Sequence, residues 1–385
     1  MYAVFAGLTS PFLSIIAVRR GAVAWEIGWL AAAPYVGLLF ASWYGRAAEG
    51  RPKVPIVVWT NALARPLIAL AGWTSNIGLY LGAITAFNFL AAAGAPAYTA
   101  VEQAIYHQQW RGRLMGGVRF MLGLGQFAAT LVAGQALHRY GAGPVFSVAA
   151  GFGVLSALGF LLIREPAASI ARGPVPPDRH PTGMQILRNN RPFVRLLLAV
   201  TLAGGGNLLV QPGYPIYQVH VLHLGDVDIA YLSALWALAW MLSYPLWGLL
   251  CDRKRPAHAV LGAFTAYIVP PLVYALHPGL GGVLVAAFAQ GVGDAGIDAG
   301  WQNHVMRLTQ QHLSSYAGTY LSWMGIRGTA APMLGALMIG VLGLHTVFVV
   351  SLLPIIAGAV LAWNLPEMPL AQRTGSGHLH QAPAS

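Results

Sequence analysis

Residues 45–53 read Gly-Arg-Ala-Ala-Glu-Gly-Arg-Pro-Lys, and residues 248–256 read Gly-Leu-Leu-Cys-Asp-Arg-Lys-Arg-Pro. Each stretch has a glycine, an acid four positions later (Glu49, Asp252), and then clustered bases (Arg51 and Lys53; Arg253, Lys254 and Arg255). Each also lies between two long apolar runs. A small residue at a helix end lets a neighbouring helix approach closely, and an acid near a helix end can pair with an arginine or with an N-terminal dipole. Such a contact can be made in one conformation and broken in another. The recurrence of the pattern 203 positions apart points to a duplicated helical bundle with a switch loop in each copy.

The apolar runs around these loops fill the chain. Of 385 residues, 57% are hydrophobic and only 9% charged, and the mean hydropathy is +0.61. An ordinary soluble domain is roughly a quarter charged. A soluble enzyme is therefore excluded, as is a globular domain on a two-helix anchor. A bilayer crossing needs about 20 apolar residues. On that measure the runs give twelve spans, near residues 1–18, 27–44, 54–73, 77–105, 114–137, 143–163, 193–222, 229–250, 257–276, 279–305, 314–343 and 345–364. The single cysteine, Cys251, forms neither an internal disulfide nor a cysteine-rich metal site.

A net charge of +11 raises the question of a nucleic-acid partner, which the placement of the bases answers. With the loop after span two in the cytoplasm, sixteen of the 22 Lys and Arg residues fall on the cytoplasmic side. The opposite side holds Arg19, Arg20 and Arg139, and Arg65, Arg119 and Arg327 fall inside spans. Insertion with positive loops inside produces this asymmetry. The basic excess sets topology in a lipid bilayer and calls for no nucleic acid. It places the chain in the plasma (inner) membrane with both termini cytoplasmic.

The one long polar stretch, residues 165–191, carries Pro166, Pro174, Pro176, Pro177 and Pro181 among several arginines and reads as a linker. It divides the chain into a six-helix bundle at 1–164 and another at 192–364, followed by a flexible cytoplasmic tail at 365–385. Weak internal repetition supports the division. Pro11 and Gly21 fall on Pro215 and Gly225, Gly45 on Gly248, and Gly116, Gly123 and Phe146 on Gly318, Gly325 and Phe348, with shifts of 202–204. The same displacement would start span one about eleven residues before Met1, so the first helix reads as truncated, with the true start upstream.

The span count, the central linker and the paired loops resemble the major facilitator superfamily. Its signature in both loops is Gly, three residues, Asp, Arg, one residue, Gly, then two bases. The second loop matches at Gly248, Asp252 and Arg253 but has Arg255 at the second glycine. In the first loop, Glu49 replaces the aspartate and Gly50 the following arginine. The resemblance implies an all-α membrane protein of two pseudo-symmetric bundles. It also implies that spans one, four, seven and ten line a central cavity, with two, five, eight and eleven beside them.

Polar stripes fall on those spans. In span ten, Gln290, Asp294, Asp298 and Gln302 recur every fourth residue and share one helical face. A charge inside a span costs roughly 2.5–3.5 kcal/mol on insertion scales, so such groups face a cavity or a partner. The alternative is a structural ion pair with Arg327. In span seven, Asn207, Gln211, Tyr214 and Gln218 are interrupted by Gly204, Gly205, Gly206, Pro212, Gly213 and Pro215. This predicts a broken helix lining a cavity. Thr99, Glu102 and Tyr106 share a face in span four, as do Tyr316, Tyr320, Trp323 and Arg327 in span eleven. A guanidinium there suits two-point recognition of a carboxylate or phosphate. Arg65, on a span that the resemblance places outward, is expected to snorkel or pair structurally, and Arg119 reads as an interfacial anchor.

No phosphate-binding loop is present, so ATP is not the energy source the sequence suggests. No His and carboxylate cluster suggests an enzyme, and no cofactor or metal is called for. The reading is a secondary transporter of a small solute, acting as a monomer by alternating access. H+ is the expected coupling ion, with Glu102, Asp294 and Asp298 as candidate carriers. The alternatives are an efflux pump for drugs or amphiphiles, and a non-transporting sensor or partner protein.

Overall fold

Spans this apolar form helices because no water is available to hydrogen-bond the backbone in a bilayer core. The computed structural model describes residues 1–48, 51–105, 111–164, 183–253, 256–308 and 313–365. Eleven helices among them are long and apolar enough to cross a membrane. They are Tyr2–Arg19, Lys53–Trp73, Ile77–Glu102, Gly117–Tyr140, Ala142–Leu162, Arg191–His220, Asp226–Cys251, Pro256–Ala275, Leu280–Trp301, Gly318–Leu342 and Leu344–Trp363. The second span, between the first two of these, is the shorter apolar helix Ala24–Phe40, which continues through Ala41–Ala48. The chain is thus an all-α, multi-pass integral membrane protein with twelve spans. Most of the expected linker (165–182) and nearly all of the tail (366–385), with Glu49 and Tyr106, lie outside the described residues. Gly183–Asn189, expected as linker, is a short helix whose Ile186 is buried beside Phe193 of span seven.

Proline and glycine break the spans where the sequence carries them. Span one narrows to a 3₁₀ turn at Ser10–Phe12, where Pro11 interrupts the regular helical hydrogen bonds. Span seven breaks between Val210 and Gly213, at Gln211 and Pro212. The two halves use the same packing scheme. Span three packs on four and six as nine does on ten and twelve. Span one packs on five and six as seven does on eleven and twelve, and span two on four as eight does on ten. Contacts between the halves are made by span two on eleven and span five on eight, and by the second parts of spans one and seven.

The repeat seen in the sequence is visible in this geometry. Gly123 faces Met241 across the five–eight contact, and Gly325, 202 positions later, faces Leu38 and Leu39 across the eleven–two contact. The turns after spans five and eleven use left-handed glycines, Gly141 (φ +76°) and Gly343 (φ +82°), also 202 apart. L-residues with a β-carbon rarely adopt this region.

The two ends of the bundle differ. At the end carrying the connections after odd-numbered spans, one apolar cluster joins the halves. It runs from Phe12, Ile15 and Ile16 of span one to Tyr217 and Leu224 after the span-seven break, and on to Phe348. Arg19 there bonds Asp226 across the halves and donates through Nη2 to the Leu224 carbonyl at 2.8 Å. Arg20 donates to the Ala71 and Gly72 carbonyls at the end of span three. At the opposite end the described clusters stay within one half: Ala48, Val57 and Ala97 in the first, and Val260, Val305 and Ala362 in the second. The bundle is therefore shut at the odd-connection end.

Candidate functional site: a carboxylate pair in span ten

Span ten gains its neighbours through glycines placed around its acids. A β-carbon at Gly291 would stand 2.4 Å from the Trp236 carbonyl oxygen, and one at Gly293 would stand 2.7 Å from the Tyr267 ring. Without those β-carbons, spans eight and nine close on span ten and their ring donors reach the first acid. Asp294 Oδ2 accepts from Trp236 Nε1 at 2.8 Å, and Oδ1 accepts from the Tyr267 hydroxyl at 2.8 Å and from Gln290 Nε2 at 3.1 Å. Asp298, one turn further, accepts one longer bond from Trp240 Nε1 at 3.4 Å. Trp236 and Trp240 are four residues apart on span eight, the same spacing as the acids they meet.

Arg327 does not pair with these acids. Its Nη1 donates to the Val200 carbonyl, and its Nε is buried with no acceptor. Among the described residues the ion pair within 4.0 Å is Arg19–Asp226, so the structural pair considered for span ten and Arg327 is not formed. Gly204 makes room for the guanidinium, since a β-carbon there would stand 2.3 Å from Nη1.

These groups surround a cavity of ≈ 380 Å³ lined by Tyr35, Gly204, Asn207, Gln211, Trp236, Trp240, Tyr267, Asp294, Asp298, Trp301, Tyr320 and Arg327, among others. Asn207 is buried and its Oδ1 has no donor. Trp301 stacks on Tyr320 with centroids 4.0 Å apart. A second cavity of ≈ 360 Å³ shares Trp236 and extends toward the closed end, past Ser10, Gln126, Tyr214, Gln218, Ser233, Tyr274 and Gln290. Tyr214 is packed against Tyr274 at 4.6 Å, and its hydroxyl is buried with no partner.

A family model for the Major Facilitator Superfamily matches residues 1–280. The chain belongs to that family. Among solved structures it is similar to a bacterial homologue of the human lysosomal transporter Spinster, in an inward-facing and occupied conformation. That match has 16% identity and a TM-score of 0.69 and covers 97% of this chain and 95% of the other. It is also similar to a variant of the nucleoside transporter NupG, with 11% identity, a TM-score of 0.71, and 94% and 97% coverage. At these identities the likeness is one of fold. No curated protein matches the chain.

Within this major facilitator fold, the residues singled out in the sequence separate into groups. Asn207, Gln211, Asp294, Asp298 and Arg327 line one cavity, and Tyr214 and Gln290 line the adjoining one. Trp323 donates to Thr201 Oγ1 at 2.6 Å, tying span eleven to span seven beside the cavity. The Gln302 side chain lies outside the described residues. Glu102 is half-buried near the end of span four and lines neither cavity. In the loops, a β-carbon at Gly45 or Gly248 would meet nothing within 4 Å among the described residues, so no close helix approach at those glycines is seen there. Arg51 and Arg253 are exposed, and Glu49 and the Asp252 side chain lie outside the described residues.

Two further arginines lie inside spans of the first half. Of the two roles expected of Arg65, it takes the structural one rather than snorkelling. It is 6% exposed, bonded to Asn61 Oδ1 at 2.9 Å and seated 4.2 Å over the Phe5 ring, because span three turns this face toward spans one and four. Arg119 lies two residues inside the start of span five, Gly117–Tyr140. Its guanidinium lies 5.5 Å over the Tyr244 ring at the five–eight contact. The donors Trp236, Trp240 and Tyr267 were not singled out from the sequence. The four-residue spacing of Trp236, Trp240 and Tyr244, and the glycines flanking Asp294, are the signals that mark them.

Proposed function

We propose that this chain is a secondary active transporter that moves a small solute by alternating access, coupled to H+ through the span-ten acids, with Asp298 as the exchanging group. The observation that carries the reading is a pair of intramembrane carboxylates held by neutral donors, with no cation within 4.0 Å of them among the described residues. They line a cavity in a bundle whose halves, among the described residues, are latched at the odd-connection end. Intramembrane ionisable groups facing a cavity mark substrate and ion pathways by default. Asp294 has both oxygens engaged and serves to hold the site, whereas Asp298 has one long bond and an oxygen with no described partner. By the distribution of basic residues the latched end is the outer one. The chain then sits inward-facing, with both termini cytoplasmic, and works as a monomer in the plasma (inner) membrane.

The test is solute-dependent proton movement in proteoliposomes carrying an internal pH-sensitive dye under an imposed pH gradient. Asp298→Asn should abolish proton movement while the protein still inserts and elutes as a single folded species. Wild-type coupling in both Asp298→Asn and Asp294→Asn would remove the pair from the pathway.

A further inference from the structure

We propose that the span-ten cavity selects amphoteric solutes, which present a carboxylate at one end and a protonated amine at the other over an apolar or aromatic body. The proposal rests on the transporter reading of the same site and adds the chemistry of its cargo. One wall carries Arg327, with one N–H on the Val200 carbonyl and a buried Nε that has no acceptor. Another wall carries Asp298, with one oxygen free of any described donor, and Asn207, whose buried Oδ1 has none either. The positive and negative groups line one cavity yet do not pair within 4.0 Å. Each therefore keeps unmet hydrogen-bonding capacity, and buried polar groups are normally satisfied.

A ligand bearing both charges satisfies both walls at once. A simple cation would leave the Arg327 Nε without an acceptor, and a simple anion would leave the second Asp298 oxygen and Asn207 Oδ1 without a donor. The walls between them are rings, Trp236, Trp240, Tyr267 and the stacked Trp301–Tyr320 pair. The ≈ 380 Å³ volume holds about a dozen waters' worth of solute at ~30 Å³ each. That is the size of an amino acid with a large side chain and not of an oligomer.

The experiment is a thermal-shift titration of the purified full chain with two matched series: phenylalanine, phenethylamine and 3-phenylpropionate; and leucine, isoamylamine and 4-methylpentanoate. Ligand that binds the folded state raises the unfolding temperature by mass action. At least one amino acid should shift the protein. Its amine and acid should need at least about tenfold more ligand, the cost of losing one charge-assisted contact. Arg327→Gln should reduce the amino acid's advantage over the amine, and Asp298→Asn its advantage over the acid. An amine or acid that matches its amino acid in the wild-type chain overturns the proposal, as does no shift with either series. The wild-type ranking decides the matter even if a variant fails to fold. Binding in detergent needs no flux, so amphoteric selectivity without proton-coupled transport would sink the transporter reading alone. Coupled flux of a simple cation or anion would sink the selectivity alone.

Discussion

The Arg19–Asp226 pair joins the first half to the second at the closed end, so weakening it should raise the population open at that end. The two side chains are 32% and 16% exposed, so the pair is half-wet and its strength is nearer a surface ion pair, about 1 kcal/mol, than a buried one. Asp226→Asn keeps the shape and removes that term, a shift of about fivefold in the open-to-closed ratio. Arg19→Gln also gives up the 2.8 Å bond to the Leu224 carbonyl, about 1 kcal/mol more, for about thirtyfold in all. Because Cys251 is the single cysteine, Cys251→Ser gives a background for one reporter thiol. Ser233→Cys suits it, since Ser233 lines the cavity beneath the latch, seven residues or about 10 Å along span eight from Asp226. The rate of modification by a membrane-impermeant maleimide applied from that side scales with the open population while it is minor. The expected order is parent, then Asp226→Asn, then Arg19→Gln, with the double variant near Arg19→Gln. Rates within twofold of the parent in all three folded variants, or strictly additive effects in the double variant, would refute the idea that this pair holds the end shut.

Gly204→Ala should raise the half-saturation for solute at least about tenfold, because a β-carbon 2.3 Å from Arg327 Nη1 displaces the guanidinium. Gly205→Ala, whose β-carbon would stand 3.9 Å from Arg327, is the control and should bind as the parent does in the same thermal-shift titration. Gly335→Ala should destabilise the fold by about 1–3 kcal/mol, since its β-carbon would lie 1.7 Å from the Leu209 carbonyl oxygen and force spans seven and eleven apart. Gly340→Ala meets nothing within 4 Å and should stay within about 0.5 kcal/mol in thermal unfolding in detergent.

What the sequence disclosed follows from local physics. The spans are legible because a crossing must be continuous in the chain. The break in span seven is legible because Pro212 and the neighbouring glycines are local causes. The repeat survives at positions where geometry demands glycine, so Gly123 and Gly325 occupy matching places at the two contacts between halves. The partners of the acids are different in kind. Trp236 and Tyr267 reach Asp294 from spans 58 and 27 residues away, and no periodicity in one helix encodes which neighbour it will meet. Charge complementarity offered Arg327 as an alternative partner of the acids, but the guanidinium lies against span seven, where Gly204 leaves it room. Arg65 shows the same limit. A lone arginine in a span leaves snorkelling and structural pairing both open, and only the packing of Phe5 beneath it and its bond to Asn61 show that it is buried within its own half.

The choice of partners for the span-ten acids bears on what they can do. A buried carboxylate paired with an arginine changes charge at a high cost, because removing one member of a buried pair leaves the other uncompensated, about 3–5 kcal/mol. A carboxylate held by indole and phenol donors leaves no orphaned cation behind when it takes up a proton. It forfeits only the charge assistance of its hydrogen bonds, about 1–2 kcal/mol each. Counted in hydrogen bonds alone, Asp298, with one 3.4 Å bond from Trp240, has less to forfeit than Asp294, which has three. Trp240 in turn packs 5.3 Å from Tyr244, and Tyr244 lies beneath Arg119 of the other half. Asp298 is thus linked through two ring contacts to the five–eight surface on which the two halves meet.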